Sequence, residues 1–179
     1  MQSDEIILPE TEPETEWVRG RALQKMSPQR DHARLQTELS IALGPWARGR
    51  GEVGSEWRFR VEPTGEPRRP LVPDLSYVSY ERLRGLTHDE IQAPALAPTV
   101  AIEILSPGDD PRDVASKIDV FLRAGTELVI IVDPKKRTMT VHDGTTAVLV
   151  AGDTLHHPAL PGFSLDVGEL FSLALDWPS

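Results

Sequence analysis

The chain has 179 residues, of which 39% are hydrophobic and none is cysteine, and its formal net charge is −9. This length suits about one domain with an apolar core, while the lack of cysteine excludes disulfides, thiolate metal ligands and a cysteine nucleophile. We expect a soluble, cytoplasmic protein, since there is no signal peptide and no apolar run near the roughly 20 residues of a membrane span.

Residues 1–15 are acidic and show no hydrophobic period, which predicts a flexible arm before a single domain over 16–179. Residues 16–26 fit a strand or hairpin edge with Gly20 in the turn, and a helix is expected after Ser27-Pro28. Further predictions are a strand over 52–61, a loop over 63–70, a strand over 71–80, and a short helix with loop over 81–98.

The clearest strand is TVAIEIL, residues 99–105, whose apolar neighbours indicate burial on both faces. Asp110 then caps a helix that carries Pro111 in its first turn and ends at Gly125. A buried strand over 128–132, a hairpin of 138–142 with 147–151, and a loop-rich tail over 155–179 follow. The strand–helix–strand unit predicts a parallel pair, and so an α/β fold with a mixed β-sheet flanked by helices.

Charge is unevenly distributed along the chain. The acidic pI of about 5.0 counts against a nucleic-acid binder. However, eleven basic residues fall between Arg19 and Arg69. A local basic surface that meets phosphate and a solvated surface of mixed charge both remain open.

Two carboxylates stand where an apolar residue is expected. Glu103 interrupts the buried strand, and Asp74 lies within LVPDLSYV. Burial of an ionised carboxylate is costly unless a cation or a donor network compensates it. If the two strands are neighbours, both acids form a site for a hard cation, and Mg²⁺ (or Mn²⁺) is the ion that prefers oxygen ligands.

Lys117 is a candidate partner for these acids. At 100° per residue it borders the buried stripe of its helix, which follows the strand of Glu103. Its charge there is suited to orient an attacking water or stabilise a phosphate. A surface pair with Asp113, four residues earlier, is the alternative.

At these positions the sequence resembles the Uma family of bacterial proteins classed as restriction endonucleases, within the PD-(D/E)xK nuclease superfamily. The resemblance covers residues 16–165 and rests on PDLSYV, AIEILSP, DVASK, FLRAG, VIIVDP and the opening MSPQRDHARL. Leu105 stands at the position where the motif usually has a lysine, so the resemblance implies that this lysine comes from the following helix, at Lys117. Phe121 stands where many relatives have a tyrosine.

The resemblance implies a restriction-endonuclease-like fold and metal-dependent phosphodiester hydrolysis. It implies Asp74, Glu103 and Lys117 as catalytic residues, and Asp74, Glu103 and the Ile104 carbonyl as metal ligands. His32, near that family's first-helix histidine, and Asp113 are possible site-lining residues. The expected substrate is nucleic acid, taken to be DNA, and a homodimer would bring two sites to two strands.

Other polar residues and other functions stay open. His156 and His157 point apart, so a loop is favoured over a metal pair, and Asp133 before Pro134 favours a turn. The alternatives to a metal-dependent endonuclease are an inactive nucleic-acid- or protein-binding module on the same fold and a metal-dependent hydrolase of another substrate.

Overall fold

The computed structural model describes residues 4–177. Its strands are β1 (Thr15–Val18), β2 (Arg21–Gln24), β3 (Gly51–Ser55), β4 (Phe59–Val61), β5 (Arg69–Leu71), β6 (Leu75–Ser79), β7 (Val100–Ile104), β8 (Leu128–Asp133), β9 (Thr138–His142), β10 (Ala147–Val150), β11 (Thr154–Leu155) and β12 (Leu165–Asp166). Its helices are α1 (Arg30–Ala47), α2 (Tyr80–Leu83), α3 (His88–Gln92), α4 (Pro111–Arg123) and α5 (Val167–Leu175). None of these helices is long and apolar enough to cross a membrane.

Six strands form a mixed sheet in the order β10-β9-β8-β7-β6-β3. β7 and β8 run parallel, with Glu103 beside Ile131, and the other neighbours are antiparallel. Helix α4 supplies the crossover between the parallel strands, as a strand–helix–strand unit requires. The predicted mixed α/β sheet is therefore confirmed.

Helices cover the sheet on both faces. On β7, Val100, Ile102 and Ile104 join the core beneath α1 and α5. Ala101 belongs to the opposite core, together with Val120 and Phe121 of α4. Since side chains alternate along a strand, Glu103 lies on the α4 side together with Ala101, where the core of that side is otherwise apolar.

The two ends of the chain differ from the sequence-based expectations. The tail over 155–179, expected to be loop-rich, contains the end of β11, β12 and the helix α5. The buried residues of α5 are spaced as one helical face. Residues 178 and 179 of that tail lie outside the described residues, as do residues 1–3 of the expected arm. Residues 4–6 instead pair with Arg68: the Ile6 N–H donates to the Arg68 carbonyl over 2.8 Å, and the Arg68 N–H donates to the Asp4 carbonyl.

Three internal boundaries also differ. The strand expected over 52–61 is interrupted near Glu56, which has a positive φ, and forms β3 and β4. β5 begins inside the expected loop over 63–70 and pairs with β4. α1 begins at Arg30, after an extended Gln29, and not directly at Ser27-Pro28.

The hairpin of β1 and β2 turns where Gly20 predicts a turn. Arg19 and Gly20 both have positive φ, 49° and 74°, which is the conformation of a tight two-residue hairpin turn. Val18, which is 2% exposed, joins the core on the α4 side and fixes the hairpin against the domain. The hairpin thereby reaches the surface where β6, β7 and α4 meet.

Candidate active site

Asp74 and Glu103 come from neighbouring strands and are linked through the backbone. Asp74 immediately precedes β6, and Glu103 lies in β7, the antiparallel neighbour of β6. The Ile104 N–H donates to Asp74 Oδ2 over 2.7 Å. Asp74 is 3% exposed and Glu103 is 8% exposed. The two predicted acids therefore lie together in a buried part of the sheet.

Lys117 reaches this place from α4. Its Nζ lies 2.6 Å from Glu103 Oε1 and 2.9 Å from Glu16 Oε2. The helix begins with an Asp110 cap, and its register turns Lys117 to the inner side together with fully buried Phe121. The structure thus brings the three predicted catalytic residues into one cluster, with Lys117 buried and not on the surface.

His32 contacts the same cluster, from helix α1. Its Nε2 lies 3.2 Å from Asp74 Oδ2, and its Nδ1 is buried without a hydrogen-bond partner among the described residues. Burial would raise the pKa of Asp74, but the His32 hydrogen bond and the charges of Lys25 and Lys117 hold this pKa below its usual range. These partners favour the ionised form of Asp74 and engage both of its oxygens.

Asp113 lines the same pocket but has a different set of partners. Arg19 Nη1 lies 3.0 Å from its Oδ1, and Arg21 Nη2 lies 2.6 Å from its Oδ2. Asp113 therefore joins the β1–β2 hairpin to α4. The surface pair of Asp113 with Lys117, which the spacing allowed, is absent from the ion pairs of residues 4–177, because Lys117 turns inward.

Sequence reasoning missed three members of the cluster. Lys25, just after β2, places its Nζ 2.6 Å from Asp74 Oδ1 and 2.9 Å from Glu56 Oε2. Glu16 accepts from Lys117 and, through Oε1, from the Val72 N–H at 2.7 Å. Glu16 is 2% exposed. The sequence signal for the burial of Glu16 was its place in β1, next to Trp17 and with no other acid in that strand.

The electrostatics of the Glu103–Lys117 pair are set by burial and by the shared ammonium group. Burial raises the pKa of Glu103 to about 8, against the lowering effect of Lys117. Burial would lower the pKa of Lys117, yet the charges of Glu103 and Glu16 outweigh it and raise this pKa. The two directions are compatible because Glu16 keeps Lys117 charged when Glu103 takes up a proton.

The cluster opens into a cavity of about 960 Å³ between the hairpin, α1 and α4. Four carboxyl groups, of Glu16, Glu56, Asp74 and Glu103, face two ammonium groups there, so negative charge remains in excess even when Glu103 is protonated. Leu105, at the usual lysine position of the motif, lines the cavity but brings no charge.

The remaining polar candidates lie outside this cluster. The Asp133 side chain accepts from the Lys136 N–H over 3.0 Å, which is the turn role that the sequence favoured. His157 Nδ1 accepts from the Ala159 N–H, and its Nε2 lies 3.6 Å from Asp143. Within residues 4–177 no group of three or more His, Asp or Glu side chains forms a ready metal cage.

A mixed sheet with a parallel central pair, two buried acids on adjacent strands and a lysine from the crossover helix defines a restriction-endonuclease-like protein. Residues 4–168 match the model of the Uma2 family, described as "Putative restriction endonuclease". The chain belongs to this family. The resemblance inferred from the motifs is thereby confirmed.

The fold is also similar to a crystal structure from Anabaena variabilis ATCC 29413, described as a "putative nuclease belonging to DUF820". The two share 28% sequence identity over 94% of this chain and 95% of that chain, with a TM-score of 0.82. No curated protein matches the chain. Family and structural likeness together support a nuclease function acting on nucleic acid.

Proposed function

We propose that the protein is a divalent-metal-dependent endonuclease that hydrolyses phosphodiester bonds, with DNA as its substrate and Mg²⁺ or Mn²⁺ as its cofactor. The observation that carries the proposal is the position of Asp74, which is bonded to the Ile104 N–H next to Glu103 on the neighbouring strand, where Lys117 contacts Glu103. Burial of two carboxylates in an otherwise apolar sheet is costly. A site that uses their charge accounts for this cost better than a purely structural role does.

The residues present fit a hard divalent cation. Glu103 Oε1 is buried and, although close to Lys117 Nζ, has no well-aligned hydrogen bond. The carboxylates of the cluster outnumber its ammonium groups. Mg²⁺ binds through one or two carboxylates and keeps several waters, so it does not need a cage of three acids. Asp74, Glu103 and the Ile104 carbonyl would hold it.

A bound divalent ion supplies Lewis-acid polarisation of the phosphoryl group and a more acidic water. The protein's own residues provide position and charge. His32 and the Ile104 N–H fix the orientation of Asp74 through its Oδ2. Lys117, held between Glu103 and Glu16, is a preorganised positive charge where negative charge would build up on the scissile phosphate.

The assay is cleavage of supercoiled plasmid and of single-stranded oligonucleotide, with Mg²⁺, Mn²⁺ or EDTA. Asp74→Asn, Glu103→Gln and Lys117→Met are compared with wild type. Loss of one preorganised charge is expected to slow cleavage on the order of a hundredfold, about 2.7 kcal/mol. Lys136→Met is the matched control, because the Lys136 side chain is 75% exposed and lies outside the cluster.

A second candidate function is supported by the ion pairs themselves. Lys25 and Lys117 neutralise Asp74 and Glu103, as expected in a protein that keeps the fold only as a binding module. Equal cleavage by wild type and Lys117→Met would refute the role of that lysine. No cleavage by wild type with any metal or substrate would favour the binding module.

A further inference from the structure

Lys25 occupies a cage of three oxygens at the edge of the candidate active site. Its Nζ lies 2.6 Å from Asp74 Oδ1 and 2.9 Å from both the Val72 carbonyl and Glu56 Oε2. The Lys25 side chain is 13% exposed. A cation in this position is surrounded by the type of ligands that a hard metal ion prefers.

The two oxygens of Asp74 have different partners. Oδ2 is engaged by the Ile104 N–H at 2.7 Å and by His32 Nε2 at 3.2 Å, both on the rigid frame of β7 and α1. Oδ1 meets the Lys25 ammonium at 2.6 Å. A metal ion that binds Asp74 would therefore compete with Lys25, and not with Lys117, for Oδ1.

The two lysines differ in how firmly they are held. Lys117 belongs to α4 and lies between two buried carboxylates, of Glu103 and Glu16. Lys25 follows β2 in a segment without regular secondary structure. Its other carboxylate partner, Glu56, is 41% exposed, so Lys25 has an acceptor nearer to solvent when it leaves Asp74.

We propose that Lys25 is the resident counter-ion of Asp74, which stabilises the metal-free site and leaves Asp74 when a divalent cation binds. The inference rests on the proposed metal dependence, but it concerns a different residue. Removal of Lys25 is expected to strengthen metal binding, whereas removal of a metal ligand weakens it. Lys25 would set the affinity for the metal by competition. A purely structural lysine would, in contrast, support metal binding by keeping Asp74 in place.

The test is titration of Mn²⁺ by calorimetry into wild type, Lys25→Met, Lys25→Gln and the exposed control Lys136→Met. Metal binding has to break the contact between the Lys25 ammonium and Asp74 Oδ1, and the attraction of two unit charges at 2.6 Å corresponds to roughly tenfold in affinity even at the dielectric constant of water. Both Lys25 variants are therefore expected to bind Mn²⁺ about tenfold or more tightly than wild type. Without metal they are expected to melt at a lower temperature.

The results of this titration distinguish failure of the inference from failure of the proposed metal dependence. If wild type binds Mn²⁺ and the Lys25 variants bind it equally or more weakly, the role of Lys25 as a counter-ion is rejected, while the proposed metal dependence is not. No Mn²⁺ binding by wild type or by either variant would reject both. Binding by the variants without binding by wild type would support the counter-ion, since it shows a site that Lys25 blocks.

A measurement on wild type covers the case in which the variants fail to fold. An amine-reactive acetylating reagent is applied with and without saturating Mn²⁺, and labelling is read by peptide mass spectrometry. The ratio of Lys25 to Lys136 labelling is expected to rise several-fold with Mn²⁺, because Lys25 is released from its buried cage. An unchanged ratio would overturn the proposal.

Discussion

Replacement of Lys117 by methionine tests how the buried acids are held. The change keeps an unbranched apolar side chain that is one atom shorter, but it leaves Glu103 and Glu16 without the ammonium that lies 2.6 and 2.9 Å from them. Removing one partner of a buried ion pair costs about 3–5 kcal/mol. For a protein of this size, about 2–4 °C per kcal/mol converts this to a fall in Tm of roughly 6–20 °C.

The pH dependence of this loss has a definite sign. The folded-state pKa of Lys117 is raised, so Lys117 is protonated in both the folded and the unfolded state below the unfolded value, and its own titration adds no pH dependence over pH 5–9. For Glu103, with its pKa raised to about 8, the fold favours the protonated form, and stability is lost as the pH rises through that value. Without Lys117, ionisation of Glu103 becomes still more costly.

The variant is therefore expected to be closest to wild type near pH 5.5 and furthest from it near pH 8.5. Melts followed by circular dichroism in EDTA would measure this, with Lys136→Met as control. Adding Glu16→Gln to Lys117→Met should recover part of the lost stability, because one unpaired charge is removed. A Tm within about 2 °C of wild type at pH 8.5 would refute the assignment of Lys117 as counter-ion of both acids.

Three further outcomes are expected. Glu103→Gln should abolish Mn²⁺ binding yet leave the metal-free Tm at pH 8.5 equal to or higher than that of wild type, because a neutral isostere relieves the desolvation of the charge. A fall in Tm of more than about 5 °C would show that Glu103 is a structural ion-pair partner. The affinity of wild type for Mn²⁺ should rise from pH 6 to pH 9, and binding should release up to one proton, since the metal displaces a proton from Glu103. Calorimetry in two buffers of different ionisation enthalpy measures this release. A binding enthalpy that is independent of the buffer would contradict the prediction. Gly44→Ala should stabilise α1 by about 0.5–1 kcal/mol because its Cβ meets nothing, whereas Gly51→Ala should destabilise by more than about 1 kcal/mol because its Cβ would overlap the Val78 carbonyl; chemical denaturation compares the pair.

The central part of the fold was predictable because its signals are local. A strand buried on both faces is a run of apolar residues, and a helix that follows a cap has a fixed angular register. From that register alone, Lys117 could be placed on the side of its helix that faces Glu103. The last helix carried the same kind of signal, with Asp166 accepting from the Glu169 N–H as a cap, and was still missed.

The surroundings of the site were not predictable in this way. Lys117 and Glu16 are 101 residues apart in the sequence, and Lys25 and Asp74 are 49 apart. Their contacts depend on where the β1–β2 hairpin packs, which is decided by Val18 in the core on the α4 side and by the arginine pairs of Asp113. A short, half-exposed hairpin carries no periodic signal for such a position.

The arginine-rich segment is resolved in favour of a surface of mixed charge. Of the eleven basic residues between Arg19 and Arg69, at least nine contact a carboxylate, as Arg58 does with Glu14 and Arg60 with Glu5. Positive charge engaged in this way attracts a phosphate backbone only weakly. The contacts of residues 4–14 with the domain are part of this neutralisation.

A protein with net charge −9 and an acidic cavity has to overcome repulsion before it can act on a polyanion. The proposed metal ion and the proposed movement of Lys25 would both reduce this repulsion. An ammonium that leaves Asp74 for the half-exposed Glu56 moves positive charge toward the mouth of the cavity, while the divalent ion replaces it inside. The site thus gains positive charge at both positions when it is loaded, and attraction for phosphate would follow metal binding and not precede it.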